Sequence, residues 1–244
     1  MKIALAAVGF ITKDIGYNFE KIEKVLKVYS EKVDLILFGE CFLQGFDCLS
    51  WKYIKDAEIA VDMDSEIIKK IKSLCKTNKV AISFGYIEKD YNKIYSSQLT
   101  IDKEENILNN YRRISKGWKE SIADSHYAEG YGFEKFNYLN KSISVALCGD
   151  LWFEENCNKM KSLNADIVLW PVYTDFHYKD WNESLKYEYA EQAAKCGKKV
   201  LYVNSYCLDK SSHEIARGGA AFFKQGNIES EIPAGEERVL IVEV

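Results

Sequence analysis

Two residues in this chain have the types and positions for covalent chemistry. Glu40 follows the apolar run Asp34-Leu35-Ile36-Leu37-Phe38-Gly39, and Cys148 follows Val145-Ala146-Leu147. Both stand where a buried strand should stop, and in α/β folds ligands meet the sheet at such ends. A carboxylate there lies in a partly desolvated pocket, which raises its pKa toward that of a useful general base. A cysteine followed by Gly149 and Asp150 suits a nucleophile on a tight strand-to-helix turn, where a helix N-terminus lowers the thiol pKa. Gly149 lets the backbone turn sharply, and Asp150 can fix the turn by accepting from amides. A purely structural reading competes for each. A carboxylate there can pair with a surface arginine or cap a loop, and free cysteine is commonly a core residue in a chain that holds seven.

A third group is the basic stretch Tyr111-Arg112-Arg113-Ile114-Ser115-Lys116-Gly117-Trp118-Lys119. Its cations could line an anionic pocket or hold an oxyanion, or they could form a solvated loop face. Asp124, His126 and Glu129 lie just beyond, but no HExxH or histidine pair at metal-ligand spacing accompanies them, so no metal is expected. Phosphate-cradling GxGxxG and GxxxxGK[ST] patterns are absent, so no nucleotide cofactor is expected either.

The elements that must position these residues read as layered α/β. Strands are expected at 2–8, 34–38, 80–87, 93–101, 143–148, 166–170 (stopped by Pro171), 199–204, 220–224 and 238–244. Helices are expected near 18–30, 63–77, 154–163 and 181–196, from apolar residues at helical spacing. Residues 103–140 read as loops with short elements. The pairs 80–87 with 93–101, and the two runs near the C-terminus, look like hairpins. Two mixed sheets with helices outside accommodate hairpins better than one doubly wound sheet.

Composition narrows the classes. The 244 residues carry a net charge of −4 with no basic stripe, which argues against a nucleic-acid partner. No apolar run reaches the roughly 18 residues a membrane span needs, and no secretory signal opens the chain. An odd number of cysteines without CxxC spacing fits a reducing, cytoplasmic setting. Nothing divides the chain, so 1–244 is read as one domain.

Together these residues resemble the nitrilase superfamily, the carbon–nitrogen hydrolases, from Met1 essentially to Val244. Asp34 to Glu40 is similar to the family's first signature, and Leu147-Cys148-Gly149-Asp150-Leu151-Trp152-Phe153-Glu154 to its nucleophile signature. Gly132-Phe133 with Phe136, the segment from Trp181 through Cys196 to Val203-Asn204-Ser205, and Gly218-Gly219-Ala220 match further family segments. The resemblance implies an αββα sandwich and a Glu–Lys–Cys triad. Glu40 would be the base, Cys148 the nucleophile, and Glu129 the second glutamate beside the lysine. It implies cleavage of a non-peptide carbon–nitrogen bond, by default the amide of a small linear substrate, through a thioester. It also implies a homodimer built on the Trp181–Cys196 helix and Trp170-Pro171, here without the C-terminal tail many members pack across the dimer.

One position departs from the pattern. The family lysine follows Tyr-Arg, and here that place is held by Arg113. A guanidinium can hold an oxyanion but does not give up its proton. Lys116, three residues on, is therefore preferred to Arg113 as the acting cation. The departure keeps open a catalytically weakened binding scaffold, and acyl transfer to an amine is the other enzyme reading.

Overall fold

The computed structural model describes residues 1–209 and 215–244. Two six-stranded mixed sheets lie face to face with helices outside, the αββα sandwich. The first sheet runs, in spatial order, Arg238–Glu243, Lys2–Ala7, Leu35–Phe38, Ala81–Asp90, Lys93–Ile101 and Ile107–Arg112. The second runs Asn227–Ile232, Ala220–Lys224, Lys199–Asn204, Ile167–Val172, Lys141–Val145 and Lys135–Tyr138.

Strand Lys2–Ala7 shows why the central strands read as continuous apolar runs. Ile3, Leu5 and Ala7 face the opposite sheet, packing with Leu37, Val145, Leu169 and Leu201. Ala4 and Ala6 face the helices, packing with Ile22, Leu26, Ile68 and Ile71. Both faces are covered, so neither register of side chains is polar. Helix Ile15–Tyr29 starts where the Asp14 carboxylate accepts from the Tyr17 amide at 2.9 Å, and with helix Glu66–Asn78 it roofs this sheet. Helices Glu154–Ser162 and Lys186–Cys196 cover the second sheet, the latter entered through a wide π-turn at Trp181–Leu185.

Four expectations need correction. The strand expected to stop at Pro171 continues to Val172, with Pro171 opposite Val203. On its other side the strand pairs with 143–145 only as far as Leu169, so the missing proline N–H interrupts no ladder there. The stretch 103–140 contains two full strands, Ile107–Arg112 and Lys135–Tyr138, both at sheet edges. A short helix at Tyr53–Ile59, absent from the expectations, follows the Glu40 loop. The last two strand runs are not partners of each other. Ala220–Lys224 forms a hairpin with Asn227–Ile232, whereas Arg238–Glu243 crosses to the first sheet and pairs antiparallel with Lys2–Ala7. No helix among the described residues is long and apolar enough to cross a membrane.

Candidate active site

The segments after Phe38, Arg112, Val145 and Val172 converge. The Glu40 amide donates to the Val172 carbonyl at 3.2 Å, and the Cys148 thiol to the Tyr173 carbonyl at 3.4 Å, so adjacent residues of one strand end hold both. Gly85 makes this crossing possible. A Cβ at Gly85 would stand 2.2 Å from the Cys41 nitrogen, so only a glycine lets the Glu40–Cys41 backbone lie across that strand.

Glu40 is fully buried. Its Oε1 accepts from the Ser96 hydroxyl at 2.8 Å and from Arg113 Nη1 at 2.9 Å. Its Oε2 is equally buried and has no partner among the described residues. A desolvated carboxylate oxygen without a donor is costly, and such exceptions mark sites where a group is expected to arrive.

Arg113 is buried as well, and it is the connector. Nη1 holds Glu40, Nε donates to the Ser115 hydroxyl at 2.9 Å, and Nη2 lies 2.7 Å from where a Cβ at Gly149 would stand. Any side chain at 149 would therefore collide with the guanidinium. Burial works against the charge of Arg113, but Glu40, Cys148 and Asp150 outweigh it and hold its pKa above the usual arginine range.

Asp150 ties the two segments together. Oδ1 accepts from the Ile114 and Ser115 amides at 3.2 and 2.8 Å, and Oδ2 from the Leu147 amide at 2.9 Å and the Tyr111 hydroxyl at 2.6 Å. The expected turn-fixing role is met and extended to a second segment. Burial still raises its carboxyl above the ordinary value despite these donors.

Cys148 begins a 3-10 turn, Cys148–Trp152, with a left-handed φ of 40° that turns the chain sharply out of the sheet. Its carbonyl accepts from the Trp170 indole at 2.8 Å. The expectation of a helix N-terminus lowering the thiol pKa is not met. Burial first and the Glu40 charge second push the thiol up to about 12, with Arg113 opposing. The resting group is a thiol, and it needs a base.

This sets an expected labelling pattern. Cys148 is the one described cysteine that is half-buried; the other six are buried. Iodoacetamide should modify Cys148 ahead of those six, yet more slowly than a free cysteine at neutral pH. Below the thiol pKa its rate should rise roughly tenfold per pH unit, as the thiolate fraction does. Peptide mapping after timed labelling at pH 7 to 10 checks this; a flat profile would mean a pre-formed thiolate.

The remaining expected residues, Lys116 and Glu129, make no hydrogen bond or ion pair with the Glu40, Arg113 or Cys148 side chains among the described residues. Lys116 opens the short 3-10 turn Lys116–Trp118 and is exposed. Glu129 pairs with Lys119, whose ammonium also donates to the Tyr127 carbonyl at 3.1 Å. The structure thus brings together Glu40, Arg113 and Cys148, and leaves Lys116 in solvent. Ser96 and Ser115 are contacts that sequence reasoning missed, and Lys119, named only within the basic stretch, is the partner of Glu129. Ser115 is two residues from Arg113, a spacing that could have flagged it, whereas Ser96 becomes visible only through strand pairing.

The fold has counterparts among known proteins. Curated relatives include the cyanide hydratase of Neurospora crassa, 27% identical over 63% of this chain and 45% of the relative. That of Pyrenophora teres is 28% identical over 57% and 41%. The chain spans less than half the length of these relatives. Among solved structures, a cysteine-to-serine mutant of Nesterenkonia AN1 amidase from the nitrilase superfamily superposes with a TM-score of 0.80 at 16% identity, covering 100% of this chain and 91% of that one. The glutamine-dependent NAD+ synthetase of Acinetobacter baumannii gives 0.80 at 20% identity, covering 98% of this chain and 44% of that one. The family model for carbon-nitrogen hydrolases matches residues 2–244, and the chain belongs to that family.

Proposed function

We propose that this carbon-nitrogen hydrolase cleaves the amide of a small linear substrate through a thioester on Cys148. The observation that carries the reading is Arg113, which reaches from Glu40 to the Cys148–Gly149 turn. Glu40 Oε2, the oxygen Arg113 and Ser96 leave unoccupied, takes the thiol proton as Sγ attacks the carbonyl carbon. Arg113 Nη2 meets the charge that develops on the carbonyl oxygen. The proton held by Glu40 goes to the leaving nitrogen as the C–N bond breaks. Water then gives its proton to Glu40, attacks the thioester, and the acid leaves with the thiol restored.

The fixed guanidinium favours an amide over a nitrile. An amide oxyanion needs only a positive charge beside it. A nitrile leaves the negative charge on nitrogen, where it draws the proton from Glu40, and the guanidinium, which releases none, has less to stabilise.

Replacing the base tests this directly. Glu40→Gln should lower kcat by about 10²-fold or more at neutral pH, the scale for losing a general base. The same change removes a charge that raises the Cys148 pKa, so the thiol pKa falls and the residual rate should climb with pH more steeply than wild type. Ammonia release from short aliphatic amides, nitriles and cyanide gives the rates, and mass spectrometry gives the acyl adduct. Turnover surviving Cys148→Ala would sink the thioester route, whereas no turnover together with an activated amide that never acylates Cys148 would leave a binding scaffold. Turnover that depends on an added amine would instead make it an acyltransferase.

A further inference from the structure

Strand Lys93–Ile101 carries two serines in succession, and each holds a carboxylate that also pairs with an arginine. Ser96 donates to Glu40 Oε1 at 2.8 Å, the oxygen that receives Arg113 Nη1 at 2.9 Å. Ser97 donates to Glu88 Oε2 at 2.6 Å, the oxygen that receives Arg112 Nε at 2.8 Å. Successive strand residues point to opposite faces, so one arrangement is built twice, once on each side of the strand.

The two copies differ at the second oxygen. Glu88 Oε1 accepts from Asn110 at 2.9 Å and from Arg112 Nη2 at 2.6 Å. Glu40 Oε2 is buried and has no partner among the described residues. A carboxylate turns easily about its last bond, and its two oxygens are chemically equal. Arg113 alone would not fix which of them faces the thiol. The Ser96 hydroxyl brings a second donor to Oε1 from a different strand. Ionised Glu40 only accepts and a hydroxyl has one proton to give, so that proton is committed to Glu40. The Cys41 thiol, whose sulfur lies 3.5 Å from the Ser96 oxygen, is therefore the donor of its own contact. The Ser96 carbonyl in turn accepts from the Arg113 amide at 2.9 Å. One buried residue thus holds the base by its side chain and the cation by its backbone.

Resting on the amidase reading above, we propose that Ser96 is a positioning residue for the base, committing Oε1 to binding so that Oε2 is the oxygen that takes the Cys148 proton. Ser96 acts through Glu40 and not on the substrate. The titratable groups facing Glu40 are Arg113, Cys148 and Cys41. Arg113 stays charged, and burial with the Glu40 charge keeps both thiols protonated near neutral pH. A change in the acid limb of the rate on losing Ser96 therefore reports Glu40.

The full chain tests this with Ser96→Ala, Ser96→Thr and Ser97→Ala, the last as an internal control. Amide turnover between about pH 5 and 9 gives kcat, KM and the acid limb. The carboxyl 13C titration of Glu40, assigned by its loss in Glu40→Gln, needs no substrate. We expect Ser96→Ala to lower kcat about 10-fold with KM within about twofold of wild type, the scale of one hydrogen bond to a charged group. Losing a donor to the ionised form should move both the acid limb and the Glu40 titration to higher pH. Ser96→Thr keeps the hydroxyl and should recover most of the rate, with circular dichroism confirming each fold. Ser97→Ala should hold kcat within about twofold, although it too takes a buried hydroxyl from a carboxylate. An unchanged kcat in Ser96→Ala, an equal loss in Ser97→Ala, or a folded Ser96→Thr no better than Ser96→Ala overturns the positioning role and leaves the amidase reading standing. A wild type that hydrolyses no amide ends the amidase reading. The Glu40 titration then decides the hold of Ser96 on Glu40, upheld by a higher midpoint in Ser96→Ala and overturned by one that does not move.

Discussion

Arg113→Ala is expected to lower stability by about 3–5 kcal/mol and to reduce turnover by 10²-fold or more. The stability loss follows from Glu40, which would be left fully buried with only the Ser96 hydroxyl as partner. The catalytic loss follows from the missing cation at the carbonyl oxygen. Arg113→Lys keeps the charge, but a single ammonium cannot reproduce the fork that holds Glu40 and Ser115 together. It should recover part of both losses. Lys116→Ala should stay within about 0.5 kcal/mol of wild type and retain its rate, because Lys116 is exposed and has no ion-pair partner among the described residues. Urea unfolding and amide turnover on the three variants decide it. A collapse in Lys116→Ala with Arg113→Ala near wild type would reverse the assignment of the cation.

Asp150→Ala should cost a comparable amount, about 3–5 kcal/mol, since it removes the acceptor of three amides and a phenol in a buried space. Turnover should fall with it, because the Ile114–Ser115 segment that carries Arg113 loses its anchor to the nucleophile turn. Asp150→Asn is the sharper variant. Both carboxylate oxygens accept from backbone amides, so either orientation of an asparagine turns its NH2 toward a donor. The conservative change should therefore rescue little. Unfolding midpoints on both variants test this, and an Asp150→Asn protein as stable as wild type would show that the four donors are not fixed as described.

Much of the frame was legible because burial on both faces leaves its mark as uninterrupted apolar runs. The runs 35–38 and 145–147 are such marks, and Glu40 and Cys148 stand out by following them. The amphipathic helices over the sheets were found within a few residues of their ends. Edge strands left no such mark. Ile107–Arg112 is half-exposed along most of its length and carries Asn109 and Asn110, so it read as loop. The partner of Arg238–Glu243 was hidden for another reason: local hairpin logic has no way to prefer a strand more than two hundred residues away.

The structure places Arg113, not Lys116, on Glu40, although proton chemistry favours the lysine. An ammonium can cycle a proton and a guanidinium cannot, which favoured Lys116. What decides position, however, is Asp150. By accepting from the Ile114 and Ser115 amides, it pins the chain directly after Arg113 and turns the Ser115 hydroxyl onto the guanidinium. Lys116 then starts the next turn in solvent. Nothing within 111–119 reveals that a residue 35 positions downstream fixes the path.

The crossing of Arg238–Glu243 onto Lys2–Ala7 bears on how the molecule comes together. Lys2–Ala7 is an inner strand, yet one of its two neighbours is drawn from the far side of the sequence. During synthesis its parallel neighbour Leu35–Phe38 emerges early, while the other flank stays bare until residue 243 has left the ribosome. Closing that span carries a large loop entropy, and pairings of such separation form late. Through that interval the nascent chain presents an apolar strand with unsatisfied N–H and C=O groups, the template on which unrelated chains aggregate. The same strand that completes the first sheet thus sets the length of time for which the unfinished protein depends on protection from its neighbours.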